Sequence, residues 1–207
     1  MSESAIRLMQ ISDIDGVVAL QSACFPPPFP AELLWRPEHI AAHLSRFPEG
    51  QWVAEVGGAI VGSASACLIS EPIWNAHCDW ETTVGGWDFS GHDPAGTTLF
   101  GADISVHPEF RGQGIGRALY GARFAVVRDL GVVRFGTACR MPDFREWTEH
   151  NLGSRIEDYA QAVVNGEQID RTLTPLLRYG LTFVGIAHGH MEDSESGNAA
   201  AILEWKP

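Results

Sequence analysis

One stretch constrains this chain more than any other: Val106-His107-Pro108-Glu109-Phe110-Arg111-Gly112-Gln113-Gly114-Ile115-Gly116-Arg117. Residues 98–106 before it read as a strand. After it, Ile115, Leu119, Ala122 and Val126 recur at helical spacing, giving a helix from about Gly114 to Leu130. Three alternate glycines let the backbone turn sharply and approach a ligand without Cβ clashes. The amides from Gly112 to Arg117 then open a helix, where the partial positive charge suits an anion, most often a phosphate. Arg111 and Arg117 add full charges at the same corner. The pattern also fits a turn that only joins two elements.

The remaining elements follow from period and punctuation. Residues 5–11 read as a short strand. A helix starting at Ser12, with Asp15 at capping-box spacing, runs to Cys24 and is stopped by Phe25-Pro26-Pro27-Pro28-Phe29-Pro30. A second helix spans about Pro37 to Phe47. Trp52, Ala54 and Val56 then alternate with polar neighbours, and Gly57-Gly58 turns the chain into the β-rich run 59–69, a hairpin. Residues 71–97 are rich in Trp, Gly and Asp and show no period, so they read as an inserted functional loop. Val132 to Cys139 is a strand, and Ser154 and Glu157 form a second capping box that opens a helix stopping at Asn165-Gly166. A short helical piece around 171–179 follows, and strands 181–188 and 198–205 flank an acidic turn. The reading is one α+β domain over residues 1–207.

Composition narrows the function. The 207 residues are ordinary for a globular chain, with 45% hydrophobic and 19% charged. A balance of 14 Lys+Arg against 26 Asp+Glu, net −12, argues against a nucleic-acid binder and mildly favours cationic or amine-bearing partners. Four cysteines without C-x-x-C spacing suggest neither a disulfide framework nor a zinc knuckle. No apolar run is long enough to span a membrane, so a soluble cytoplasmic protein is expected. His39/His43 and His188/His190 lack the further ligands a metal would need, and no metal is expected. No G-x-S-x-G elbow surrounds any serine.

The phosphate ligand can be narrowed further. The Rossmann G-x-G-x-x-G fails because the third glycine is missing, and no G-K-[ST] completes a Walker loop. What remains, R-x-x-G-x-G preceded by V-H-P-E-F, resembles the acetyl-CoA pyrophosphate loop of the GNAT superfamily of acyl-CoA-dependent N-acyltransferases. His92-Asp93-Pro94, Leu99-Phe100-Gly101-Ala102-Asp103-Ile104-Ser105-Val106, Arg140-Met141-Pro142 and Asp193-Ser194-Glu195-Ser196 are more narrowly similar to GNAT domains associated with carbon–nitrogen hydrolases. The likeness covers nearly the whole chain and is strongest from 92 to 141.

The resemblance implies a mixed, mostly antiparallel sheet, splayed at the motif strand and flanked by helices. It implies acetyl-CoA as cosubstrate, its pantetheine arm bonded to the backbone of Ile104, Ser105 and Val106. Its pyrophosphate would be cradled by Arg111, Gly112, Gln113, Gly114, Ile115, Gly116 and Arg117. It also implies direct attack by a primary amine on the thioester, the acceptor being a small molecule or peptide; dimers are frequent in the family. The family's tyrosine, four residues before the Gly-Phe of the next strand, is replaced here by Leu176 before Gly180-Leu181. Tyr159 is the preferred substitute acid and Tyr179 the other candidate; a helix-face aromatic is the plainer reading of Tyr159. Asp103, a carboxylate in an apolar strand, is the candidate base, or else a tether for the 71–97 loop. Trp80, Glu81, His92 and Arg140 are acceptor-side candidates from position alone. Two other readings stay open: a non-catalytic acyl-CoA-binding or sensing module that docks on a hydrolase, and a transferase using a longer acyl-CoA.

Overall fold

Strands Ala5–Leu8 (β1), Gln51–Val56 (β2), Ala59–Ile69 (β3), Thr98–Val106 (β4), Arg134–Cys139 (β5), Thr182–His188 (β6) and Ala199–Trp205 (β7) hydrogen-bond into one sheet in the order β1-β2-β3-β4-β5-β7-β6. The computed structural model describes residues 4–27 and 29–207; Met1, Ser2, Glu3 and, in the proline run, Pro28 lie outside the described residues. Every pairing is antiparallel except β4 with β5. Gly57 and Gly58, at φ 59° and 84°, make the two-residue turn between β2 and β3, a conformation that side-chain-bearing residues adopt only at a cost.

Helices Ile14–Cys24 (α1) and Pro37–Arg46 (α2) lie on one face. There Val17 and Ile40 pack with Val53, Cys67 and Phe100 of the sheet. Ile115–Leu130 (α5), Ile156–Val164 (α7) and Leu173–Arg178 (α8) cover the other face. Their Tyr120, Phe124, Val127, Tyr159, Leu173 and Leu176 bury Leu99, Phe135 and Leu203. Neighbouring Leu99 and Phe100 therefore point to opposite faces, as strand alternation requires.

Several elements differ from the sequence reading. The first helix opens with a 3-10 turn over Ile11–Asp13 in place of a cap at Ser12, because the Asp13 carboxylate accepts from the Gln10 amide and pairs with Arg7 at 2.6 Å. The second cap lies one residue later than Ser154 and Glu157: α7 starts at Ile156 and Asp158 accepts from the Arg155 amide. The insertion is not structureless: it holds Glu71–Ala76 (α3) and Trp80–Val84 (α4), the latter capped by Asp79 accepting from the Thr82 amide. Helices this short escape a periodicity search. A further short helix, Phe144–His150 (α6), follows β5.

Candidate active site

The β4–β5 ladder ends at Gly101 and Thr137. Beyond it β4 stays with β3 as far as Val106, while β5 follows β7. The two strands part, and the gap between them is a fork. Its apex is pinned by Thr137 Oγ1 donating to Gly101 O at 2.9 Å.

The glycine-rich turn lies at the open end of β4. Gly112 and Gly114 have φ of 75° and 84°, and a Cβ on either would meet no atom within 4 Å, so the loop faces open space. Gly114 is the N-cap of α5 and has no side chain to satisfy the first amides of that helix. Those amides lack intrahelical acceptors by helix geometry. Arg111 and Arg117 are exposed, and Arg111 Nε donates to Val106 O at 3.1 Å, which ties the loop to the strand end. Open amides, a helix dipole and two cations fit a pyrophosphate.

Asp103 is held by a bulge. Between Ser65↔Asp103 and Ala66↔Gly101, Ala102 has no partner on β3, so the side-chain alternation is reset. Ile104 then packs toward α5, while Asp103 and Ser105 turn to the α1 face. There Gln21 Nε2 donates to Asp103 Oδ2 at 3.1 Å and to Ser105 Oγ at 3.0 Å. Burial raises the Asp103 carboxyl to about 6, against the opposing pull of Arg123, Gln21, Ser105 and the Ile104 amide. Cys24 sits beside Ser105 and Arg111, its thiol pushed up chiefly by burial.

The insertion roofs this face. Trp80 Nε1 donates to Ala102 O at 3.1 Å, and the Trp80 amide donates to His190 O at 2.8 Å. Trp80, Trp87 and Phe89 pack on Trp35 of the α1–α2 connection, and His43 of α2 stacks on Phe89 at 3.7 Å. Residues 78–92 thus bridge α2, β4 and the β6–β7 connection.

The sequence-derived site residues divide. Asp103, Ile104, Ser105, Val106, the 111–117 loop and Trp80 share the fork. Tyr159 is fully buried, with its hydroxyl donated to Asp170 Oδ2 at 2.9 Å and its ring against Phe144 and Trp147. Burial beside Asp170 pushes that phenol well above its ordinary range, and the hydroxyl is engaged in a core hydrogen bond. Glu81 is exposed on α4. His92 accepts from the Leu68 amide at 3.1 Å and stacks on Phe47, closing the edge of β3. Arg140 is held by Asp193 (2.7 Å) and Glu195 (2.9 Å) of the β6–β7 turn, which leaves its guanidinium bound to the fold.

Three further residues were not read from the sequence: Gln21, Arg123 and Thr137. The first two carry a signal, because each is a polar residue on an otherwise apolar helix stripe. Gln21 follows Val17 by four, and Arg123 lies between Leu119 and Val126. Tyr179 is also closer to the loop than Tyr159, since a Cβ on Gly116 would lie 3.8 Å from its hydroxyl. Among the described residues no helix is long and apolar enough to cross a membrane, and no three His, Cys, Asp or Glu gather as a metal site.

Comparison with known proteins agrees with this geometry. The Acetyltransferase (GNAT) family model matches residues 14–153. The chain is 35% identical over 202 residues to the uncharacterized N-acetyltransferase YkwB of Bacillus subtilis (strain 168), covering 97% of this chain and 88% of that one. It is 31% identical over 201 residues to the probable hydrolase YhcX of the same organism, of which it spans 38%. Among solved structures, the GphF GNAT-like decarboxylase in complex with isobutyryl-CoA superposes with a TM-score of 0.81 at 26% identity, over 98% of each chain.

Proposed function

The chain belongs to the GNAT acetyltransferase family and is an acyltransferase, and from that premise we propose that it moves an acetyl group from acetyl-CoA to a primary amine of a small acceptor. The observation that carries this reading is the fork: a strand pair that parts at Gly101 and Thr137, with open helix-starting amides at the far end of one arm. An acyl-CoA laid along β4 would bond the backbone of Ile104 to Val106 and rest its pyrophosphate on residues 111–117. A backbone N–H there, aimed at the thioester oxygen, would stabilise the charge that develops on attack, a contribution of a few kcal/mol.

The acceptor approaches from the α1 face, under the insertion. An alkylammonium has a pKa near ~10 and must lose a proton before it attacks. Asp103, raised to about 6, is ionised at neutral pH yet basic enough to take that proton. With Leu176 buried in place of a phenol, the same carboxyl passes the proton on to the departing thiolate, and the second proton of the attached nitrogen is released to solvent as the amide forms. One group then acts as base and acid in turn. Net charge −12 favours a cationic acceptor reaching the cleft.

Titration calorimetry with acetyl-CoA, followed by thiol release with a panel of primary amines, tests the reading. Binding and amine-dependent release are expected; a protein that binds no acyl-CoA refutes it. The likeness to the GphF GNAT-like decarboxylase supports a second reading, in which no acceptor enters and a carboxylated acyl-CoA loses CO2. The bond to the carboxylate would break, its electron pair would pass to the thioester oxygen, and a proton would then be added at carbon. CO2 release from malonyl-CoA or methylmalonyl-CoA with the thioester intact would favour that chemistry over transfer.

A further inference from the structure

The bulge at Ala102 leaves main-chain carbonyls that strand pairing does not satisfy, and buried carbonyls need donors. Two side chains supply them from opposite faces of the sheet. From the α1 face Trp80 Nε1 reaches Ala102 O at 3.1 Å. From the α5 face Arg123, 1% exposed, donates through Nη2 to Ser65 O at 2.8 Å and also to Asp103 O. These two carbonyls belong to the residue pair that borders the bulge. The Arg123 guanidinium also lies 5.4 Å over the Tyr120 ring and 5.6 Å over the Phe135 ring, so it is packed in place. A buried guanidinium whose hydrogen bonds go to carbonyls is costly unless a negative charge lies close by.

We propose that Arg123, assisted by Trp80, is the positioning residue of this site: it clamps the bulged backbone so that Asp103 is turned onto the acceptor face, and it sets a positive charge behind that carboxylate through the strand. The proposal rests on the reading of Asp103 as the base. The bulge decides which face Asp103 occupies, because an unbulged strand would reverse the alternation and turn Asp103 into the α5 core. Arg123 and Tyr120 approach Asp103 from α5, Gln21 and Cys24 from α1, and Ser105 from β4 itself. Arg123 is the cation acting on Asp103 directly, while Arg111 lies against Cys24.

The test is a carbon-13 NMR titration of the full chain labelled at aspartate carboxyls, with Asp103→Asn identifying the resonance. The wild-type midpoint is expected near 6. Arg123→Gln, neutral but still able to donate to a carbonyl, and Arg123→Met should each raise it by about 1 unit or more. Arg123→Lys restores the charge and should bring it back to within about 0.3 unit of wild type, a rescue that a purely structural role would not produce. An unmoved midpoint in a folded neutral variant overturns the proposal. So does a lysine variant shifted by a full unit, which decides the matter if neither neutral variant folds. Acetyl-CoA binding is measured on the same samples. A wild type that does not bind it refutes the transferase reading, whereas binding with an unmoved midpoint refutes the role of Arg123 alone.

Discussion

Replacing Asp103 by Asn should stabilise the protein while disabling it. The carboxyl is raised from an ordinary 3.8 to about 6 by burial. Two units at ~1.4 kcal/mol each mean that keeping it ionised costs the native state about 3 kcal/mol at neutral pH. The residue is only half-buried, so water offsets some of this and about 2 kcal/mol remains. The sign follows from the raised pKa. The cost is present above pH 6, where the native state must hold a charge, and fades as the native carboxyl protonates. About half should remain at pH 5 and about a fifth at pH 4. Asparagine carries no such charge and can still accept the Gln21 hydrogen bond. Thermal melts should therefore place Asp103→Asn about 4–8 °C above wild type at pH 7.5, with the gap nearly closed by about pH 4. Amine-dependent thiol release should fall roughly 100-fold. A variant less stable than wild type at pH 7.5, or a gap independent of pH, would refute the reasoning.

Tyr159→Phe removes the hydroxyl held by buried Asp170. It should cost about 1–2 kcal/mol in denaturant unfolding and leave turnover per folded molecule unchanged, whereas a large loss of turnover would return Tyr159 to the chemistry. Gly114→Ala forces a side chain onto a residue at φ 84°. Calorimetry should show about tenfold weaker acetyl-CoA binding with a stability loss near ~1 kcal/mol; unchanged affinity would mean the loop is not the cradle. Gly136→Ala would set a Cβ 2.3 Å from Cζ3 of Trp74, deep in β5. Chemical denaturation should report a loss of about 2–3 kcal/mol, since the indole is buried and cannot swing clear.

The sequence by itself determined the pieces whose signals are local. Alternation marked β2, the glycines and Arg111 marked the anion corner, and apolar spacing marked α5, because turn chemistry and periodicity act over a few residues. Asp103 also stood out as a carboxylate inside an apolar strand. Only the tertiary structure decided what surrounds it. The bulge at Ala102 depends on donors from Trp80, 22 residues before it, and from Arg123, 20 residues after Asp103. Neither distance is encoded in strand periodicity. Tyr159 had the expected chemistry and a capped helix to carry it, yet packing turned it inward onto Asp170. Gln21 and Arg123 could be seen as polar residues on apolar stripes, but their purpose became legible only when the sheet brought α1 and α5 to opposite sides of one strand. Register and burial are cooperative properties of the whole sheet, so they determine which of the chemically capable side chains reach the fork.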